Sequence, residues 1–371
     1  MSRLTAQGCA ARRAALLEQA QADLLLISNP RHILYLSGLF VSPLTLGGWG
    51  PAFLLIDSNG ETELLVHDFL APAAEAAHAG TVTVYDWYDA ATAPGVNLWR
   101  SALDALNRRL AQRSPHRLGV ERGSLPAGVS TAGSVDITDT LRRMRRRKHA
   151  DELALMRHAA RAVEAGHRAA RQIIAPGVSE LDVYNAVNEA IVSQAGAPIV
   201  PLGDFVSGER AFDVGGPPTR RVLQAGDLMI LDLFPIIHGY RADFTATIAV
   251  DGVLTPPQEK LQTALHDAIR AGESQLRPGA RAADVYDAVY QALESHGLGQ
   301  QFPHHAGHGL GLDHPEAPYF VPQSKETLAP GDVVTLEPGA YGSTFGARIE
   351  HNYLITDEGY QRLTNHQTKF T

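Results

Sequence analysis

The feature that most constrains this chain is an internal duplication. The segment PGVSELDVYNAVNEAI (176–191) recurs 102 residues later as PGARAADVYDAVYQAL (278–293), identical at eight of sixteen positions with no gap. That period is far longer than the ~20–50 residues of a solenoid repeat, so it marks a doubled domain rather than an array. The likeness continues into the strands behind each helix. GDLMILD (226–232) parallels GDVVTLE (331–337), and Arg241-Ala242-Asp243 parallels Arg348-Ile349-Glu350. Each half therefore carries an apolar strand ending in an acid, then a loop, then an Arg-x-acid that opens another strand. Two similar halves present two carboxylates each.

An acid at the end of a strand as apolar as LMIL or VVTL is costly, because a carboxylate leaving water needs a paired cation or a metal. A single such acid is more often salt-bridged or at the surface. Four of them brought together by pseudo-symmetry, Asp232, Asp243, Glu337 and Glu350, would repel one another, and divalent cations sharing carboxylate oxygens are the simplest way to neutralise them. A fifth donor is expected in HHAGHGLGLDHPEAP (304–318), where four histidines stand among glycines in a segment that cannot be a stable helix. At least two of His304, His305, His308 and His314 are expected to be ordinary hydrogen-bonded residues. His308, flanked by Gly307 and Gly309, is the candidate ligand. Four carboxylates and one imidazole make an oxygen-rich site suited to Mn2+, Co2+ or Fe2+, with Zn2+ also admissible. Two such ions activate water and polarise a carbonyl together, so the chemistry implied is metal-assisted hydrolysis.

The rest of the chain is consistent with an ordinary globular enzyme. Its 371 residues exceed what one core usually supports, and 44% hydrophobic with 19% charged residues is unexceptional. Short strand patterns at 23–28, 52–56, 62–66, 82–85 and 118–121, with a helical pattern over 99–111, predict a small α/β domain ending near residue 140. A long helical pattern over 148–174, closed by Pro176-Gly177, opens the second domain. The net charge of -8 argues against nucleic-acid binding. The basic run LRRMRRRKH (141–149) is expected to be a solvated helix face. Cys9 is the single cysteine, the first twenty residues lack an apolar secretory core, and no stretch is long enough to span a bilayer. A cytoplasmic protein beginning near Met1 is expected.

The order Asp232, Asp243, His308, Glu337, Glu350, set in GYRAD, GHGLGL, LEPG and RIE, resembles the pita-bread metallopeptidases: methionine aminopeptidase, aminopeptidase P and prolidase, with creatinase sharing the fold. DLLLISNPRHILYLSGL (23–39) resembles the opening of the creatinase-like domain of prolidases and aminopeptidase P. The resemblance implies an α+β chain, with a small creatinase-like α/β amino-terminal domain over 1–140 and a pseudo-two-fold pita-bread catalytic domain over 141–371. It further implies that Asp232 holds one ion, that His308 and Glu337 hold the other, and that Asp243 and Glu350 bridge them. Glu337 would take the proton of the attacking water, His304 would lie near the substrate, and Arg348 would orient the bridging carboxylates. The implied function is a manganese-dependent Xaa-Pro dipeptidase of the prolidase type, acting on short peptides as a homodimer.

Two departures concern histidines that the family uses to hold substrate. The usual PHGxPT is here VGGPPT, with Gly215 at the histidine position, and the usual VHEAP is here HPEAP, with Pro315 at that position and His314 one residue earlier. His314 is expected to substitute for the second, because a one-residue displacement in a loop can be absorbed by turn geometry. The same departures keep open an aminopeptidase P, a non-prolyl peptidase or a creatinase-like hydrolase. A non-catalytic binding module is disfavoured, because such relatives generally lose ligands and all five stand here.

Overall fold

The computed structural model describes residues 3–87, 91 and 98–371. The chain divides into two compact units, Met1–Arg145 and Arg146–Thr371.

In the first unit, α1 (Ala6–Ala20), β1 (Leu24–Ile27), α2 (Pro30–Ser37), β2 (Phe53–Asp57), β3 (Thr62–His67), α3 (Ala71–Glu75), β4 (Thr81–Tyr85), α4 (Leu98–Arg113), β5 (Leu118–Val120) and β6 (Val135–Asp136) build a mixed six-stranded sheet, ordered β4-β3-β2-β1-β5-β6. The unbroken apolar run of β1 is buried at every position, as expected of a strand covered on both faces. The Asn29-Pro30 pair starts α2: Asn29 accepts from the Arg31 amide at 3.0 Å, proline occupies the first turn, and Gly38 closes the helix at φ 74°.

The basic run lies in α5 (Thr138–Arg146) and just beyond it, and it is only in part the solvated face expected from its charge: Arg142, Arg143 and Arg147 are exposed, whereas others are not. Arg145 is buried and donates to His32 Nε2 at 2.9 Å. Arg146 grips Asp332 at 2.6 Å, and the Lys148 ammonium is buried against Glu316 at 2.6 Å. Long basic side chains can be internal when each finds an acid or a ring nitrogen, and a charge count does not reveal those partners.

The second unit displays the duplication as two half-cores. In the first half, α6 (Ala150–Ile173) and α7 (Glu180–Ala195) pack on a sheet ordered β11-β8-β7, made of β7 (Gly203–Ser207), β8 (Leu228–Leu233) and β11 (Phe244–Ala249), with the short ribbon β9 (Ile236–Ile237) and β10 (Tyr240–Arg241) beside them. In the second half, α8 (Pro256–Glu273) and α9 (Ala282–Ser295) cover a sheet ordered β13-β12-β14-β17-β18. Its strands are β12 (His308–Gly309), β13 (Glu316–Tyr319), β14 (Val333–Leu336), β17 (His351–Ile355) and β18 (Tyr360–Arg362), and β15 (Gly339–Tyr341) pairs with β16 (Gly346–Arg348) apart from them.

Equivalent positions of the repeat do equivalent work. Val183, Val187 and Ile191 of α7 are buried in one core, and Val285, Val289 and Leu293 of α9 are buried in the other. Their i, i+4, i+8 spacing is the stripe by which a helix covers a sheet. Helix starts have diverged around a common acid. Ser179 caps α7 and Asp182 accepts back from its amide at 2.9 Å, whereas Asp284 pairs with the Arg281 guanidinium. The strands then set the acids: Asp232 lies in β8, Glu337 directly follows β14, and Asp243 and Glu350 directly precede β11 and β17.

Candidate metal centre

The two halves are joined at the acids by side chains that bridge strands. Asn352 on β17 accepts from the Asp243 amide at 3.1 Å and donates to its carbonyl. The Glu350 amide donates to the Thr245 carbonyl at 3.2 Å, and Thr247 Oγ1 exchanges bonds with the Arg348 backbone at 2.7 and 3.0 Å. These contacts fasten the start of β11 to that of β17 and draw the acids of both halves together. Asp232, Asp243 and Glu350 each offer an oxygen within 4.8 Å of the others. With Glu337 and His308 they are between 1% and 8% exposed.

Buried acids this close need a reason. Asp232 Oδ1, Asp243 Oδ1 and Glu350 Oε1 have no hydrogen-bond partner among the described residues, an arrangement that is expensive unless a ligand completes it. Burial pushes the Asp232 carboxyl up to about 7, with Asp243, Asp204 and Glu337 adding to the effect and Arg348 opposing it. Burial and the charges of Asp243, Glu337 and Asp232 hold Glu350 well above the carboxylate range. Glu337 departs in the other direction: burial raises it, but the bond from His305 and the imidazoles of His305, His308 and His304 outweigh that and hold it well below.

His308 fixes the character of the missing partner. Its Nδ1 lies 2.8 Å from the Gly309 carbonyl, which can only accept, so Nδ1 carries the proton. The Nε2 lone pair then faces Asp243 Oδ2 and Glu337 Oε1, each 3.5 Å away. A lone pair aimed at two carboxylate oxygens is repulsive by itself and favourable only around a cation, and the carbonyl on the other ring nitrogen is the usual support of a metal-binding histidine. The donor set thus fits divalent metal ions held by Asp232, Asp243, Glu350, Glu337 and His308.

The remaining histidines of the segment line up with His308, with successive ring centroids 5.8, 5.2 and 5.0 Å apart from His304 through His305 and His308 to His314. His305 Nδ1 stands 3.2 Å from Glu337 Oε1. His314 stacks on Phe234 with centroids 4.7 Å apart and brings Nε2 to 2.7 Å from Asp243 Oδ2. Burial lowers the His314 pKa, yet Asp243 outweighs it and holds the imidazole above its ordinary value. His304 bonds the His305 carbonyl at 2.8 Å and the Tyr341 hydroxyl at 3.3 Å, and burial pushes it down to about 4.

Arg348 ties the set together. Its guanidinium donates to Asp232 Oδ2 at 2.7 Å, Tyr341 Oη at 2.6 Å, the Val214 carbonyl at 2.9 Å and Thr245 Oγ1 at 3.1 Å, and it reaches Asp204 Oδ2 at 3.4 Å. The Thr245 hydroxyl in turn donates to Glu350 Oε2 at 2.8 Å. The duplicate of Arg348, Arg241, donates instead to the Phe234 carbonyl. Sequence reasoning noted His305 only as one of the four histidines of its segment, with no role at Glu337, and missed Thr245, Tyr341 and Asp204. Thr245 was accessible, since it stands two residues beyond Asp243 on a strand and so shares its face; Tyr341 and Asp204 carry no local signal. A cavity of about 1120 Å³ between Phe212, Leu261 and Phe345 is lined by none of the five candidate ligands.

The model for metallopeptidase family M24 matches residues 154–357, and that for the creatinase/prolidase N-terminal domain matches residues 11–146. The chain belongs to metallopeptidase family M24. Among curated relatives, an uncharacterized peptidase of Bacillus subtilis, YqhT, is 30% identical over 259 residues, covering 67% of this chain and 73% of that one. Among solved structures, dipeptidase PepE from Mycobacterium ulcerans superposes with a TM-score of 0.80 at 26% identity, covering 100% of this chain and 99% of the other. An Xaa-Pro dipeptidase from Bacillus anthracis superposes with a TM-score of 0.83 over 99% of both chains at 22% identity, a likeness of fold. As an M24 member this chain is a metal-dependent peptidase, with an α+β fold whose catalytic part follows a creatinase-type amino-terminal unit. Among the described residues no helix is long and apolar enough to cross a membrane.

Proposed function

We propose that this chain is an Xaa-Pro dipeptidase of the prolidase type, with two divalent ions, manganese by preference, held by Asp232, Asp243, His308, Glu337 and Glu350. The observation that carries the reading is the His308 lone pair set between two carboxylates, beside three buried acids with unpartnered oxygens. Relatives named as dipeptidases support the substrate class. The oxygen-rich donor set supports manganese. Action as a cytoplasmic homodimer belongs to the same proposal; the dimer rests on the family resemblance, and the compartment rests on that resemblance together with Cys9 being the single cysteine of the sequence.

When bound, the ions supply Lewis-acid polarisation of the scissile carbonyl and lower the pKa of water. The chain's own groups do the rest. Glu337, held ionised, is in the form that accepts a proton at its carboxylate. Thr245 and Arg348 fix Glu350 Oε2 and Asp232 Oδ2 by hydrogen bonds. His304 is neutral with Nδ1 protonated, and its Nε2 accepts from Tyr341, whose hydroxyl is itself oriented by Arg348. His314, stacked on Phe234, is the imidazole placed to donate to a substrate oxygen beside Asp243.

A second reading, a creatinase-like hydrolase, is favoured by one observation: where the family pattern has a histidine, Gly215 leaves its space to the Asp204 carboxylate. Turnover of Ala-Pro, Leu-Pro, Ala-Pro-Ala, Ala-Leu and creatine with added Mn2+, together with metal content after dialysis, separates the two. Cleavage of the Xaa-Pro dipeptides alone sustains the proposal; creatine turnover without peptide cleavage overturns it.

A further inference from the structure

Asp204 is the acid of this site that the metal reading does not use. It lies on β7 opposite Asp232 on β8, yet it shares none of the three-residue clusters that place metal-ligand atoms together. Its carboxylate is held from two sides, by the Gly216 amide to Oδ1 at 2.9 Å and by Arg348 Nη2 to Oδ2 at 3.4 Å. The second contact is long, and Arg348 makes its short bond to Asp232 instead. With 27% of its side chain exposed, Asp204 keeps acceptor capacity directed at solvent beside the catalytic acids.

The local backbone is shaped around this carboxylate. A Cβ added at Gly215 would fall 2.2 Å from Asp204 Oδ2, so a side chain at 215 and the present position of Asp204 exclude one another. The preceding residue, Val214, sits at φ 62° and ψ -54°, the centre of a strained γ-turn closed by the Gly215 amide on the Asp213 carbonyl at 2.6 Å. That conformation aims the Val214 carbonyl at Arg348. Strain is thus kept in the loop that supplies one of the two contacts on Asp204 and anchors Arg348, the other.

We propose that Asp204 is a specificity-determining residue that receives a cationic nitrogen of the substrate, either the α-ammonium or the ammonium or guanidinium of a basic first side chain. The inference rests on the peptidase reading above. A fixed, partly exposed carboxylate with free lone pairs is the complement of an N–H cation, and such charge-assisted bonds act on binding more than on the bond-breaking step. Neutral apolar groups gain nothing from it.

The test uses the Mn2+-loaded enzyme and its Asp204→Asn variant, which keeps an acceptor for the Gly216 amide. Substrates are Leu-Pro, Lys-Pro, Arg-Pro and N-acetyl-Leu-Pro. A tenfold or greater rise in KM on the three free dipeptides, with kcat little changed and no penalty on the acetylated one, supports the α-ammonium. A rise confined to Lys-Pro and Arg-Pro supports the side chain. Equal KM values throughout, or one loss of kcat shared by all substrates, overturn the inference and leave Asp204 as a support for Arg348. Gly215→Ala, which keeps the charge but takes its place, is expected to reproduce the KM rise. If no peptide is turned over, the dipeptidase reading falls separately, and calorimetry with L-lysinamide still decides: tenfold weaker binding to the variant supports the inference, and equal or undetectable binding to the wild type overturns it.

Discussion

Replacing Asp232 by asparagine separates the cost of the metal centre from its use. In the metal-free protein, burial and three neighbouring acids raise the Asp232 carboxyl from 3.8 to about 7. A group whose folded pKa is raised contributes stability that is complete below the unfolded value and lost as pH rises through the folded one, so the metal-free protein carries the penalty above about pH 7. The displacement corresponds to about 4 kcal/mol. Asparagine removes the charge and keeps an acceptor for Arg348, and the weaker bond returns about 1–2 kcal/mol. The net gain of about 2 kcal/mol is expected to raise the melting temperature of chelated Asp232→Asn above that of chelated wild type by about 4–8 °C at pH 8, and the gap is expected to close by pH 4. Adding Mn2+ at about 100-fold over its dissociation constant stabilises the wild type by about 2.7 kcal/mol, enough to reverse the order. Calorimetric melting with and without chelator reads both. If the chelated variant melts below the wild type at pH 8, or the gap is the same at both pH values, the acids are not held together against their own repulsion and the reasoning fails.

Three further outcomes are expected. His308→Ala leaves one ion or fewer per chain by elemental analysis and lowers kcat/KM by more than the ~10–100-fold that loss of an outer metal-site partner costs; two retained ions would remove His308 from the ligand set. His314→Ala lowers kcat on the best dipeptide by about 100-fold if its imidazole meets the developing oxyanion, and an unchanged rate, measured beside His304→Ala, would end the idea that His314 replaces the histidine absent at 315. His366, stacked near Phe244 and His167, is pushed by burial from 6.5 down to about 4. The unfolded chain therefore takes the proton first, and stability complete above about pH 6.5 is lost as pH falls toward 4, by about 3 kcal/mol. Melting curves of chelated His366→Phe across that window are expected to fall less steeply than those of the wild type.

The sequence made the acids legible and left their surroundings obscure, for a physical reason. A duplication repeats what both halves need: the Val183, Val187, Ile191 stripe and its counterpart in α9, and an acid at each strand end. Such features recur at fixed spacing because helix and strand geometry impose periods of about 3.6 and 2. Elements of the first unit were read the same way, from apolar runs bounded by turns, and β1, β2 and β3 lie within a residue of where those runs placed them. Partners across the fold have no period. Nothing near Arg145 announces His32, and nothing near Lys148 announces Glu316, so a run of basic residues read as solvated proved to hold buried ones.

The same distinction explains why Asp204 escaped notice while Gly215 did not. Gly215 stands inside a recognisable pattern, so its missing side chain was visible as a departure. Asp204 is eleven residues earlier on β7, and only the folded structure brings its carboxylate to within 2.2 Å of where that side chain would begin. Seen separately, the two positions suggest a site that has lost a substrate-holding histidine. Together they describe an exchange, in which an imidazole attached at one position is replaced by a carboxylate attached at another. An exchange of that kind would change the charge offered to substrate without disturbing Asp232, Asp243, Glu337, Glu350 or His308, the candidate ligands at which this chain keeps the family pattern.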